Sequence, residues 1–244
     1  MTSPLPRVIG HRGAATHAPE NTLAGLSRAA ELGAPWVEFD VRLTADKVAI
    51  LHHDDTLKRT AGRNAAAASL TYKEIAELDA GAWYGNAFHG ERVPTLSETL
   101  KLLGQLGLGA NIEIKPAPGH EAETARVALE LVKKEWPARL PAPLISSFKI
   151  ESLRVAKETA PEFGRGLLLN ELTDTWRADA ERLDCVSIHL SRKKTSKAVV
   201  DLIHKAGYAL AVYTVNDGEE GERLYKWGAD CIITDSPEIM LPLA

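Results

Sequence analysis

The chain has 244 residues, 45% hydrophobic and 25% charged, with a formal net charge of −4. That composition fits a globular protein with one large core or two small ones, and its charge gives no general attraction to nucleic acid or an anionic membrane. No apolar run approaches the roughly 18 residues needed to span a bilayer, and chemistry-bearing residues begin at His11, too early for a basic and then apolar secretory signal ahead of them.

Residues 7–10 read as a short strand and 21–32 as an amphipathic helix, with Leu23, Leu26, Ala29 and Ala30 on one face and Gly33 as its stop. Residues 36–43 and 48–51 are strand-like. A long stretch, 55–93, breaks the rhythm; it carries an Ala run and Trp83, Tyr84 and Phe88, and reads as an insertion over the mouth of the fold. Residues 96–106 are helical, opened by Pro94-Thr95 and closed by Gly107. A strand at 110–115 and a helix at 122–136 follow. Further strands are expected at 144–147, 165–169, 185–188, 209–215 and 231–234, separated by helices at 150–159, 173–182, 196–205 and 218–227. This is a sustained βα alternation of about eight units, close to the ~250 residues of a (β/α)8 TIM barrel, in one α/β domain over 1–244. A doubly wound open sheet is the alternative, weakened by the lack of a Gly-x-Gly-x-x-Gly turn after the first strand. Cys185 and Cys231 lie in separate apolar segments and read as core residues rather than a disulfide framework. The expectation is a cytoplasmic protein, and no sequence feature separates monomer from homodimer.

Glu38 and Asp40 sit in an otherwise apolar strand. Residues i and i+2 share a face, so both carboxylates point one way while Val37, Phe39 and Val41 point the other. Burying paired carboxylates costs several kcal/mol per ion unless something compensates. Glu113 ends a later strand, with Lys115 again at i+2. In a barrel these strand ends converge on one face, where three carboxylates and no thiolate would suit a hard divalent cation, Mg²⁺ or Ca²⁺. The competing explanation is a set of buried ion pairs with Arg12, Lys115 and Arg42. Arg12 and Lys115 beside a metal suit an anionic substrate, phosphoryl oxygens above all. His11 and His53 are candidates for general base and acid. Strand alternation turns His52 to the packing side, and His17, His89, His120, His189 and His204 read as structural. Phe148 follows a strand end and, with Asn216, is a candidate pocket residue; Trp83 and Tyr84 read as the insertion's own small core or a pocket rim.

These residues in this order resemble the glycerophosphodiester phosphodiesterase family. The matching stretches are His11-Arg12-Gly13, Pro19-Glu20-Asn21-Thr22, Glu38-Phe39-Asp40, His53-Asp54-Asp55-Thr56-Leu57 with Arg59-Thr60, and Asn111-Ile112-Glu113-Ile114-Lys115-Pro116. Ser146-Ser147-Phe148, Tyr213-Thr214-Val215-Asn216 and Thr234-Asp235 also fit, so the resemblance covers nearly the whole chain. The stretches Asp79-Ala80-Gly81-Ala82-Trp83-Tyr84 and Cys185-Val186-Ser187-Ile188-His189-Leu190 are similar to its cytosolic bacterial members that accompany glycerol-3-phosphate uptake. The resemblance implies a (β/α)8 barrel and divalent-metal-dependent hydrolysis of glycerophosphodiesters, such as glycerophosphocholine and glycerophosphoethanolamine, to sn-glycerol 3-phosphate and an alcohol. It places metal ligands on Glu38, Asp40 and Glu113, catalytic histidines on His11 and His53, and phosphate-binding cations on Arg12 and Lys115. Rival expectations are a lyase that releases a cyclic phosphate and a non-catalytic phosphodiester-binding barrel. Asp46-Lys47 stands where the family often has Asp-Gly, a change of turn residue expected to leave the chemistry untouched.

Overall fold

The computed structural model describes residues 5–244. In chain order the elements are β1 (Val8–Gly10), α1 (Leu23–Glu31), β2 (Trp36–Leu43), β3 (Ala49–Leu51), α2 (Lys58–Ala61), α3 (Tyr72–Ile75), α4 (Leu96–Leu106), β4 (Gly109–Ile114) and α5 (Glu121–Glu135). They continue with β5 (Leu144–Ser147), α6 (Ile150–Thr159), β6 (Gly164–Leu169), α7 (Trp176–Arg182), β7 (Ser187–Ser191), α8 (Lys197–Lys205), β8 (Ala209–Tyr213), α9 (Gly218–Trp227), β9 (Cys231–Thr234) and α10 (Pro237–Met240). Eight parallel strands close into a ring, because β1 pairs with both β2 and β9. The ninth strand, β3, lies outside the ring, antiparallel to β2. The TIM barrel expected from the βα rhythm is borne out.

Side-chain alternation divides the interior from the outer shell. Val37, Phe39 and Val41 are fully buried in the layer between strands and helices, with Leu26, Leu100 and Leu129. Ile9, Leu144, Ala211, Cys231 and Ile233 form a separate cluster, drawn from strands around the ring. Each large side chain fully buried in these layers contributes roughly 1.5–3 kcal/mol.

Element boundaries follow local chemistry. The helix expected from Asn21 starts at Leu23, because the Thr22 hydroxyl accepts the Gly25 N–H at 3.0 Å as an N-cap and Asn21 stands outside it at φ 55°. α4 has the expected opening, a reciprocal Thr95–Glu98 capping box, and ends on Gly107 at φ 75°. The strand expected over 185–188 begins later, at Ser187. Asp184 turns the chain at φ 49° and the Cys185 N–H still bonds to the Ala180 carbonyl, so ladder pairing cannot start at Cys185. Similarly, β8 stops at Tyr213 instead of Val215. Lys47 occupies a left-handed turn, φ 64°, the conformation for which glycine carries no steric penalty.

The 55–93 segment builds a small core from Leu57, Leu70, Ile75 and Val93, packed on Ile50 of β3. The Ala45 N–H bonds to the Leu70 carbonyl and ties this unit to the end of β2. The Tyr84 hydroxyl donates to the Thr16 carbonyl in the loop after β1, bringing one end of the insertion to the barrel mouth. Trp83, Tyr84 and Phe88 pack edge to face in series. Cys185 and Cys231 are free and buried, and burial pushes the Cys185 thiol up to about 12.

Candidate active site

A cavity of about 260 Å³ opens at the C-terminal ends of the strands. His11, Arg12, Glu38, His53, Asn111, Glu113, Lys115, Phe148 and Tyr213 are among its lining residues. The ring brings together residues more than 100 positions apart, as the barrel topology requires.

Glu38 and Asp40 point inward from β2 and Glu113 from β4. All three are buried, and one carboxylate oxygen from each lies within 4.8 Å of the others. Asp40 is the best-compensated. Its Oδ2 accepts from the Asn21 side chain at 2.8 Å and lies 3.4 Å from Arg12 Nε, while Lys115 Nζ lies 3.2 Å from Oδ1. Burial pushes Asp40 up, but Arg12, Lys115 and His53 outweigh it and hold the group well below the ordinary carboxylate range. Glu38 has one backbone donor, the Arg12 N–H at 3.0 Å. Burial, then repulsion from Asp40 and Glu113, drives it well above its ordinary value. Glu113 is pushed up to about 7 by burial and Asp40, despite the Lys115 ammonium 3.0 Å away.

The ion-pair alternative therefore accounts for Asp40 and leaves Glu38 and Glu113 short of positive charge. Arg42, its third cation, turns away and donates to the His53 carbonyl and to Asp55. Asn111 Oδ1, on a lining residue of the same cavity, is buried with no hydrogen-bond partner. A convergent set of oxygens deficient in cationic charge fits a hard divalent ion.

Both histidines are held from behind by carboxylates. His11 Nδ1–H donates to Asp235 Oδ1 at 2.6 Å, and His53 Nδ1–H donates to Asp54 Oδ1 at 2.7 Å. An ionised carboxylate only accepts, so each Nδ1 keeps its proton and each Nε2 is left for chemistry. His11 Nε2 lies 3.9 Å from Glu38. Burial, against the pull of Asp40, lowers the His53 pKa. Asp235 is braced in turn by the Asn216 amide, whose Nδ2 donates to Asp235 Oδ2 at 2.6 Å.

His11, His53, Arg12, Lys115, Glu38 and Glu113 thus line one cavity, and Asp40 is buried behind its wall within 4.8 Å of both glutamates. Phe148 joins them, 37% exposed, its ring edge-on to Tyr213 and 6.0 Å from Lys115 Nζ. Asn216 is not among the cavity's lining residues and serves as the brace for Asp235. Trp83 and Tyr84 are likewise absent from the lining and pack in the insertion. His52 is buried with Nε2 on the Thr56 carbonyl, as strand alternation implies. Asn21 and Tyr213 carry no expected role from the sequence, whereas Asp54 and Asp235 follow strand ends, where a barrel gathers its functional residues. Asp54 and Asp235 do lie inside the motif stretches, but only the fold shows that they hold imidazoles.

The glycerophosphoryl diester phosphodiesterase family model matches residues 11–239. The chain belongs to this family. The enzymatic class expected from the sequence is therefore borne out. A glycerophosphodiester phosphodiesterase of Caldanaerobacter subterraneus subsp. tengcongensis is 39% identical over 241 residues, covering 97% of this chain and 96% of the relative. A phosphodiesterase structure from Oleispira antarctica, in complex with the product sn-glycerol-3-phosphate, superposes with a TM-score of 0.95 at 38% identity, covering 98% of this chain and 96% of that one. A glycerophosphodiester phosphodiesterase structure from Thermotoga maritima gives a TM-score of 0.78 at 29% identity, covering 97% of both chains. Within this family fold, no described helix is long and apolar enough to cross a membrane.

Proposed function

We propose that this phosphodiesterase hydrolyses small glycerophosphodiesters, including glycerophosphocholine and glycerophosphoethanolamine, to sn-glycerol 3-phosphate and an alcohol. The observation that carries the reading is the pair of carboxylate-braced imidazoles over one cavity, floored by Glu38, Asp40 and Glu113 and flanked by Arg12 and Lys115. A family structure holding sn-glycerol-3-phosphate supports the product.

Glu38, Asp40 and Glu113 would hold a divalent cation, Mg²⁺ or Ca²⁺, which when bound supplies Lewis-acid stabilisation for charge building on the phosphoryl oxygens. Arg12 and Lys115 bind the phosphate and lower the cost of concentrating negative charge there. One imidazole Nε2 takes the proton of the attacking oxygen, and the other delivers a proton to the departing alkoxide. Asp54 and Asp235 fix both rings and stabilise whichever imidazolium forms, as carboxylates do in hydrolase triads. The cavity walls of Phe148, Leu168, Asn170 and Tyr213 offer mixed apolar and polar contacts suited to a small polyol phosphate. Two free, buried thiols support a reducing, cytoplasmic setting.

The test is His11→Ala and His53→Ala, with products followed by phosphorus NMR in ¹⁸O-labelled water. Both variants should lose turnover by roughly 10²–10⁴-fold, while the wild type should release labelled glycerol 3-phosphate. Wild-type rates in both variants would overturn the acid–base assignment. Cyclic glycerophosphate accumulating as the end product would replace hydrolysis with cyclisation.

A further inference from the structure

Arg59 is absent from the lining of the cavity, in the short helix α2 of the insertion, yet its guanidinium holds two carboxylates at once. Its Nε and Nη2 donate to Asp54 Oδ2 and Oδ1 at 2.8 and 3.0 Å. Its Nη1 and Nη2 donate to Glu20 Oε2 and Oε1 at 2.7 and 2.8 Å. Each carboxylate has a second partner inside the site. Asp54 accepts from His53 Nδ1 at 2.7 Å, and Glu20 Oε1 accepts from Arg12 Nη1 at 2.7 Å. An unbroken chain therefore runs His53–Asp54–Arg59–Glu20–Arg12, linking a catalytic imidazole to the phosphate-binding guanidinium.

An isolated exposed ion pair contributes little, but a fork-to-fork pair within a network is the recognised exception. Arg59 is 43% exposed, whereas Glu20 is 11% exposed at the side chain, so the carboxylate end of the clamp is sheltered. The Trp83 ring lies 5.8 Å from the Arg59 guanidinium carbon. That places a tryptophan left 42% exposed at the outer reach of a cation–π contact with the guanidinium. Leu57 and Thr60, buried on either side of Arg59, anchor the helix that carries it.

We propose that Arg59 is a positioning residue: it clamps Asp54 and Glu20 so that His53 and Arg12 are held in one fixed relation. The insertion's contribution to catalysis is this clamp. Without it Asp54 keeps only its bond to His53, and Glu20 keeps only its bond to Arg12, so both are free to rotate. Lysine is a poor replacement, because a point charge cannot present parallel donors to two carboxylates. The proposal rests on the roles given above to His53 and Arg12.

The test uses the full chain with Arg59→Ala, Arg59→Lys and the exposed neighbour Lys58→Gln as a control. Arg59→Ala should lose roughly 10–100-fold in kcat/KM, divided between a lower kcat from His53 and a higher KM from Arg12. Millimolar guanidinium should restore part of that activity, and ammonium should not. Arg59→Lys should stay nearer the Ala variant than the wild type, and Lys58→Gln should match the wild type. Independently of turnover, the His53 Nδ1–H proton should be seen downfield by NMR in the wild type and be lost to solvent exchange in Arg59→Ala. That readout tests the clamp even if the wild type releases no glycerol 3-phosphate. Arg59→Ala within twofold of wild type, an unchanged His53 resonance, or a loss that follows the thermal melt and ignores guanidinium would overturn the proposal.

Discussion

Replacing Glu113 with Gln should make the metal-free protein more stable while abolishing its activity. Glu113 is buried, and burial with the neighbouring Asp40 charge raises its pKa from 4.5 to about 7. That difference corresponds to roughly 3 kcal/mol against ionisation in the folded state. Below pH 4.5 the carboxyl keeps its proton folded or unfolded and the penalty is absent; it grows as pH rises and is complete above about 7. Gln has the same shape, and its Oε1 can still accept from Lys115 Nζ, the bond Glu113 makes at 3.0 Å. In EDTA at pH 8, Glu113→Gln should therefore unfold up to about 3 kcal/mol later than the wild type in urea. For a chain of 244 residues this is a rise of roughly 6–12 °C in Tm. At pH 5 the difference should shrink to roughly a quarter of its pH 8 value. Saturating Mg²⁺ or Ca²⁺ should stabilise the wild type and leave the variant almost unchanged, since only an intact site gains from binding. A variant less stable than wild type in EDTA at pH 8, or a difference independent of pH, would refute the picture of a charge-starved carboxylate cluster.

Asp235→Asn should cut kcat by roughly 10³–10⁴-fold with little change in KM, because an amide can donate to His11 Nδ1 and reverse the tautomer; steady-state kinetics decides it, and a pure KM effect would contradict the bracing role. Metal affinity, measured by calorimetry, should fall by at least about tenfold per pH unit below pH 7, because Glu113, and Glu38 whose pKa is also raised, must lose their protons to ligate. A flat affinity between pH 6 and 8 would contradict Glu113 as a ligand.

The legible parts of this protein were those governed by local rules. The i, i+2 spacing of Glu38 and Asp40 already placed both carboxylates on one strand face, and both are buried there. The βα rhythm implied a barrel, and a barrel implies that strand ends meet. The braces of the site obey no local rule. Asp235 lies 224 positions from His11, and its role exists only because β9 closes onto β1. Asn216 carries the same amide chemistry whether it faces a ligand or braces Asp235, so sequence could not separate the two. Arg59 and Glu20 are both in motif stretches, but their contact spans 39 positions and depends on how the insertion folds back to the mouth. The late start of β7 turned on a single left-handed residue, Asp184, which is not a glycine and so gave no turn signal.

The most direct test of the central claim is release of glycerol 3-phosphate from glycerophosphocholine and glycerophosphoethanolamine, with EDTA and then with Mg²⁺ or Ca²⁺ restored. Glu38, Asp40 and Glu113 as a metal cradle beneath His11 and His53 predict release that EDTA stops and one of these ions restores. No release from either substrate, or release indifferent to EDTA, would contradict the account.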